Sequence, residues 1–286
     1  MVAPAFEYTP AASYDDAVRL LAETPGEARV LAGGQSLMPM LNLRLAHPDL
    51  LIDINPADQR PPSLSPGQDG GAVLRLPALT RHRVLAEHDL VRRGCPLLAE
   101  AVRHVGNVRV RNRGTIGGSL AHADPTSEIG CCALATGARV VARGPDGDRT
   151  VPAAGLFAGY WATTLAESEI ITDVLIPAAR PGQGWSFHEM ARRTSDFAIV
   201  AVAVVLDLAE RNGAIAAANI ALAGVADRVV LADPALVDSD PDETAARIAE
   251  TLDPPGDVHA SGAYRRRLAR VLTARALREA SARAAL

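Results

Sequence analysis

Lysine is absent from this chain of 286 residues, and all 29 of its basic residues are arginine. This excludes enzymes that hold a substrate or cofactor through a lysine Schiff base. It also excludes a Walker A phosphate-binding loop, which requires a lysine. A phosphate site in this chain therefore has to work without lysine.

Aromatic residues are scarce, at 3% of the chain, and the net charge is -4. The chain offers neither a stacking surface for single-stranded nucleic acid nor a basic field for a duplex, so we expect no nucleic-acid partner. The hydrophobic content of 48% suits a globular protein with a sizeable core. The length suggests about two domains of ~100–200 residues each.

Cysteine is limited to Cys95, Cys131 and Cys132, and this spacing fits neither a zinc site nor an iron–sulfur cluster. An odd number of cysteines without a secretory leader predicts a reducing, cytoplasmic location. The apolar run 197–206 has about half of the ~20 residues that a membrane-spanning helix needs. We therefore expect no transmembrane segment.

Two stretches rich in proline and glycine, 56–71 and 177–184, mark candidate boundaries. They divide the chain into predicted units at residues 1–56, 57–178 and 185–286. A clear alternation of strands and helices with a GxGxxG motif is missing, so a doubly wound dinucleotide fold is not supported. The sequence instead predicts mixed α and β structure in three parts.

The last unit has the clearest pattern of secondary structure. We predict strands at 185–191, 199–208 and 215–223, a hairpin turn at Asn212-Gly213, and helices at 242–251 and 264–284.

Two short glycine-containing segments resemble each other. The first glycine segment comprises Ala32, Gly33, Gly34, Gln35 and Ser36, and the second comprises Thr115, Ile116, Gly117, Gly118 and Ser119. Glycine lets the backbone approach a ligand closely, and successive N–H groups in a turn form a concave anion site. Two such turns facing each other could hold two linked phosphates. A single Gly-Gly-Ser is more often only a turn, so the residues alone leave both interpretations open.

Longer stretches of sequence around these segments resemble those of a known family. The first segment continues into Pro39, Leu41 and the run 43–45, and the second lies within 111–125 and precedes Glu128. Two further strings, 192–198 (RRTSDFA) and 264–272 (YRRRLARVL), follow in order. Together they closely resemble the FAD-binding medium subunit of the molybdenum hydroxylases. That family includes the medium chain of aerobic carbon monoxide dehydrogenase and the flavin domain of xanthine dehydrogenase.

The resemblance implies an α+β fold. A two-subdomain, PCMH-like FAD-binding fold would be followed by a C-terminal α+β domain with a small antiparallel sheet. It also implies non-covalent FAD, with the diphosphate held between the two glycine segments. Arg44, Arg111 and Arg113 could neutralise phosphate charge, although such arginines are more often surface or interface residues.

Four further residues are cofactor candidates through the resemblance. Glu128, with Asp124 as a second candidate, would contact the sugar or ribityl hydroxyls of the flavin. Ile171 would pack near the flavin or adenine, and Phe197 would cover one face of the isoalloxazine ring. The alternatives are a solvated carboxylate at the start of a helix for Glu128 and plain core packing for Phe197.

In function, the resemblance implies an electron-transfer subunit. Electrons would pass from [2Fe–2S] clusters in a small subunit through FAD to an external acceptor. The molybdenum cofactor would lie in a large subunit. The three subunits would form a heterotrimer or a dimer of heterotrimers. One alternative is a free-standing FAD-dependent oxidoreductase acting on a small organic substrate. Another is a flavin-free binding or assembly protein with the same fold.

Overall fold

A computed structural model describes residues 3–67, 70–209 and 213–285. Within these ranges the strands form three larger sheets and one small hairpin. Each larger sheet takes its strands from one stretch of the chain, 7–53, 63–177 and 183–231 respectively. The predicted α+β class is confirmed.

The first sheet is parallel, with the strand order β1-β3-β2. Its first helix begins after Ser13, whose hydroxyl accepts a hydrogen bond from the Asp16 N–H at 3.1 Å. The first glycine segment connects β2 to α2, so it lies where a strand ends beside a short helix. The elements are β1 (Glu7–Pro10), α1 (Tyr14–Glu23), β2 (Ala28–Leu31), α2 (Leu37–Asn42) and β3 (Leu50–Asp53).

The second sheet is antiparallel, with the order β4-β5-β10-β6-β7. The elements of this stretch of the chain are β4 (Ser63–Pro66), β5 (Ala72–Pro77), α3 (His82–Glu87), α4 (Asp89–Gly94), α5 (Pro96–Ala101), α6 (Val108–Arg113), α7 (Ile116–His122), α8 (Glu128–Ala135), β6 (Arg139–Gly144), β7 (Gly147–Pro152), β8 (Phe157–Gly159), β9 (Ala162–Thr163) and β10 (Ile170–Pro177). Of these, β8 and β9 form the separate hairpin. The stretch 56–71, predicted as a boundary, contains β4. This exposed edge strand has no apolar pattern and is held by its pairing with β5.

The third sheet, β11-β12-β13-β14, is antiparallel, as predicted for the C-terminal domain. Its elements are β11 (Gln183–Ala191), β12 (Ala198–Leu208), β13 (Ile215–Ala223), β14 (Val230–Leu231), α9 (Pro241–Thr251) and α10 (Gly262–Ala284). Asn212 of the predicted turn lies outside the described residues. Alternate residues of β12 face opposite sides. Val202 and Val204 pack in the core formed with α10, whereas Ala201 and Ala203 pack in the core that contains α8.

A buried arginine holds the end of β13 within the C-terminal domain, and the residue that follows β13 contacts the segment before α8. Arg265 is 6% exposed and donates to the carbonyl groups of Ile199 and Gly224 and to the Asp257 carboxylate. The Gly224 N–H donates to the Pro125 carbonyl at 2.8 Å. The C-terminal sheet is therefore fixed directly against the chain that follows the second glycine segment.

The three cysteines are free and buried, in the core of the second unit. Burial raises the pKa of Cys95 to about 12 and raises the pKa of Cys131 and Cys132 as well. The Cys131 thiol donates to the Ala221 carbonyl at 3.1 Å. These thiols pack as core residues.

No helix in the described ranges combines the length and the apolar character needed to cross a bilayer.

Candidate functional site

The two glycine segments lie against each other. A Cβ added to Gly33 would lie 2.4 Å from the Arg113 carbonyl oxygen and 2.8 Å from the Gly114 Cα. A Cβ added to Gly118 would lie 4.0 Å from the Ala32 Cβ. The structure therefore brings together the segments that the sequence pairs, and glycine at position 33 is needed for this close approach.

The first glycine segment presents backbone donors. The N–H groups of Gly33, Gly34, Gln35 and Ser36 find no acceptor among residues 3–67, 70–209 and 213–285. Gly34 adopts a φ of +72°, a left-handed conformation that favours glycine. The Ser36 hydroxyl makes no capping bond to α2. Successive free N–H groups in such a turn are suited to hold an anion.

The second glycine segment is not a turn like the first, which corrects the expectation of two matching anion-binding turns. Its glycines lie in the first turn of α7, which Thr115 caps by accepting the Gly118 N–H at 3.1 Å. The N–H groups of Ile116, Gly117 and Ser119 also donate to backbone carbonyls. A Cβ on Gly117 would lie 2.5 Å from the Ala78 Cβ, so this glycine serves helix packing.

Ser119 is the polar group that the second segment offers. Its Oγ lies 3.0 Å from Nε2 of His82, which is 3% exposed. Burial, with smaller contributions from Arg111 and Arg81, lowers the pKa of His82 to about 4. The imidazole is therefore neutral near pH 7 and positions the Ser119 hydroxyl without adding charge. No sequence motif indicates His82, since a lone histidine carries no spacing signal.

Of the three arginines considered as phosphate neighbours, Arg111 has a structural role. Its Nη1 donates to the carbonyl groups of Arg103, Val105 and Gly106, at 3.2, 3.1 and 2.6 Å. It thereby holds the chain between α5 and α6. Arg44 and Arg113 are exposed, and Arg113 meets the first glycine segment through its backbone.

Two carboxyl groups follow the second glycine segment. Asp124 accepts hydrogen bonds from the N–H and hydroxyl of Thr126, at 2.8 and 2.7 Å, which shapes the turn before α8. Glu128 is the first residue of α8, and burial raises its pKa to about 8, with smaller contributions from Glu189 and Asp124. The side chain is only partly exposed, and its cofactor role remains a prediction.

Glu189 is a further carboxyl group, and no sequence motif indicates it. It lies on β11 in the C-terminal domain, and burial raises its pKa to about 7. Its Oε2 is buried and has no hydrogen-bond partner within the described part of the chain. Glu128 and Glu189 thus bring a carboxyl group from each domain to the same region.

Ile171 and Phe197 have opposite environments. Ile171 lies in β10, is 4% exposed and packs in the core of the second unit. Phe197 is 75% exposed, immediately before β12, so core packing is wrong for this side chain. Their cofactor roles remain predictions.

Two domain families match almost the whole chain. Residues 4–179 match the FAD binding domain in molybdopterin dehydrogenase, and residues 185–280 match the CO dehydrogenase flavoprotein C-terminal domain. The chain belongs to the family of FAD-binding medium subunits of the molybdenum hydroxylases.

Relatives of this medium subunit include proteins from several enzymes. It is 35% identical over 291 residues to the 6-hydroxypseudooxynicotine dehydrogenase complex subunit alpha of Paenarthrobacter nicotinovorans, covering 99% of this chain and 97% of the relative. It is 41% identical over 206 residues to the carbon monoxide dehydrogenase medium chain of Hydrogenophaga pseudoflava, covering 72% and 70%.

Solved structures show the same fold. A chain of carbon monoxide dehydrogenase from Hydrogenophaga pseudoflava matches with a TM-score of 0.93 and 35% identity, covering 99% of both chains. A chain of quinoline 2-oxidoreductase from Pseudomonas putida 86 matches with a TM-score of 0.90 and 34% identity, covering 100% of both. The fold predicted for this medium subunit is therefore confirmed.

The residues present fit FAD. The first glycine segment has free N–H groups for a diphosphate, and the contact at Gly33 leaves no room for a side chain. Ser36 and Ser119 add hydroxyl groups at the two segments. Glu128 supplies a carboxyl group that can accept hydrogen bonds from sugar hydroxyls. The chain provides these groups without lysine.

Proposed function

We propose that this medium subunit passes electrons from the [2Fe–2S] clusters of a small subunit through FAD to an external small-molecule acceptor. The observation that carries the proposal is the contact between the two glycine segments, which places free backbone donors and hydroxyl groups at one site. FAD, when bound, supplies the redox chemistry. The chain would bind and orient the cofactor.

The residues of the chain would share this work. The N–H groups of residues 33–36 would hold the diphosphate, with Ser36 and Ser119 as additional donors. Glu128, or Asp124 beside it, would bind sugar or ribityl hydroxyls. Phe197, exposed at the start of β12, would cover one face of the flavin ring, and Ile171 would support the site from the core.

The partners in this proposal are a molybdenum-binding large subunit and a [2Fe–2S] small subunit. Support comes from relatives that are named as a complex subunit and as medium chains. The names of relatives refer to carbon monoxide, nicotine and caffeine at 30–41% identity, so we infer that the large subunit sets the substrate. The free thiols suit a cytoplasmic complex.

Co-expression with candidate partners tests the proposal. The chain is produced alone, with the small subunit, and with both subunits, and bound flavin and its absorbance are measured in each preparation. We expect the chain alone to bind FAD. We also expect the substrate of the large subunit to bleach the flavin absorbance only when all three chains are present.

Two outcomes would count against the proposal. A chain that binds no FAD under any of these conditions would support a flavin-free binding or assembly role. Turnover of an organic substrate by the isolated FAD-loaded chain would support the free-standing oxidoreductase instead.

A further inference from the structure

The side chain of Arg81 lies between the two glycine segments. It precedes α3 and is half-buried. Its Nη2 donates to Oδ1 of Asn55 at 2.5 Å, and its Nη1 donates to the Arg113 carbonyl, immediately before Gly114 and the second segment. One guanidinium thus contacts two parts of the chain that are distant in sequence.

Asn55 continues this connection to the first glycine segment. Its Nδ2 donates to the Ala32 carbonyl at 2.8 Å. The hydrogen bonds therefore run from Ala32 through Asn55 and Arg81 to the Arg113 carbonyl. This is the same carbonyl that a Cβ on Gly33 would approach to 2.4 Å. The bracket formed by Asn55 and Arg81 fixes the spacing of the two segments where they meet.

The charge of Arg81 is not neutralised by this bracket. Its two acceptors are an amide oxygen and a backbone carbonyl, and no carboxylate forms a salt bridge with it in the described ranges. Burial lowers the pKa of Arg81, nearby Arg113 lowers it further, and Asp53 opposes this at longer range. A partly buried cation without a paired anion is unfavourable unless an anion binds beside it.

We propose that Arg81, held by Asn55, is a positioning residue for the diphosphate of FAD. It sets the spacing of the two glycine segments and supplies the positive charge that the diphosphate balances. This inference rests on the proposed function, because it takes the diphosphate to lie between the segments. In a chain without lysine, the guanidinium provides the positive charge, and its two Nη groups donate the hydrogen bonds to Asn55 and to the Arg113 carbonyl.

Binding of FAD to the full-length apoprotein at low and high salt tests this proposal. The variants are Arg81→Met, which removes the charge and the bracket, and Arg81→Lys, which keeps the charge. Arg83→Met is the matched control, because the Arg83 side chain is exposed and makes no hydrogen bond or salt bridge within the described residues. The thermal unfolding of each apoprotein shows that the variant is folded.

We expect Arg81→Met to weaken FAD binding about 10- to 100-fold at low salt, the range for a hydrogen-bonded charge. The difference from wild type should shrink at high salt, because salt screens the missing attraction. Arg81→Lys should retain the salt dependence of wild type and bind with intermediate affinity. If Arg81→Met does not fold, the salt dependence of FAD binding by Arg81→Lys tests the charge role instead. A salt dependence different from that of wild type would then refute that role.

Other results separate the two proposals. If wild type binds FAD and Arg81→Met binds it as well as Arg83→Met, the role of Arg81 is refuted and the proposed function stands. An equal loss of affinity at all salt concentrations would refute the charge role. Wild type that binds no FAD would overturn the proposed function itself.

Discussion

Nε2 of His82 and Oγ of Ser119 lie 3.0 Å apart across the contact between α3 and α7. His82 is buried, and its pKa is lowered to about 4, first by burial and then by Arg111 and Arg81. The histidine is therefore neutral in the folded protein but takes up a proton near pH 6.5 when the chain unfolds. Its stabilising contribution is present above that pH and is lost as the pH falls towards 4.

We predict that wild type loses stability relative to His82→Gln as the pH falls. Between about pH 7 and about pH 5 the difference in unfolding free energy should change by about 2 kcal/mol. Urea denaturation of the apoproteins at both pH values measures this. His47→Gln is the control, because His47 is exposed. If the unfolding free energies of wild type and His82→Gln change equally with pH, His82 does not have the lowered pKa.

Gly33→Ala should damage both stability and cofactor binding. The added Cβ would lie 2.4 Å from the Arg113 carbonyl oxygen and 2.8 Å from the Gly114 Cα. Because both are backbone atoms, they cannot move away as the end of a flexible side chain can. We expect a loss of about 1–3 kcal/mol in unfolding free energy, the usual cost of overpacking. FAD affinity should fall as well, because the two segments would be forced apart.

Calorimetry of the apoprotein and FAD titration measure these effects. Gly155→Ala is the control, because no atom lies within 4 Å of its added Cβ. Wild-type stability and FAD affinity in Gly33→Ala would contradict the packing of the two segments described here.

The sequence predicts much of this fold because its strongest patterns are local. The strands predicted at 185–191, 199–208 and 215–223 agree with β11, β12 and β13 to within two residues. The edge strand β4 could not be predicted, since its pairing with β5 depends on a neighbour rather than on its own apolar pattern.

The candidate site was predictable only in part. The two glycine pairs look alike in sequence, but Gly33 contacts Arg113 whereas Gly117 packs on Ala78, and both contacts join residues far apart in the chain. His82 and Glu189 acquire their chemistry from burial. Burial of a single polar residue has no local signature, so no motif could indicate them.

Glu128 and Glu189 should make the apoprotein less stable as the pH rises. Their pKa values in the folded protein are raised to about 8 and about 7, mainly by burial, whereas an unfolded glutamate titrates near 4.3. The folded chain therefore holds protons that the unfolded chain releases. The stability that these protons contribute is complete below about pH 4 and is lost as the pH rises through 7 and 8.

The double variant Glu128→Gln/Glu189→Gln should remove this dependence. Between about pH 5 and about pH 8, wild type should lose about 4–6 kcal/mol of unfolding free energy relative to the variant, with the larger part from the more deeply buried Glu128. Urea denaturation without FAD measures the difference, with the exposed Glu167→Gln as the control. If the double variant follows the wild-type pH curve, the two carboxyl groups are ionised in the folded protein.

Phe197→Ala should affect cofactor binding without affecting the fold. The side chain is 75% exposed, so its removal leaves the core intact, and the unfolding midpoint of the apoprotein should match wild type. If the ring covers the flavin, its loss removes a stacking contact of about 0.5–1.5 kcal/mol, which corresponds to about a 2- to 12-fold loss of FAD affinity. Phe197→Tyr should bind like wild type because it keeps the ring. Val258→Ala, at a side chain 93% exposed, is the matched control. Flavin fluorescence titration gives all four affinities, and equal values for Phe197→Ala and Val258→Ala would place the aromatic ring outside the flavin site.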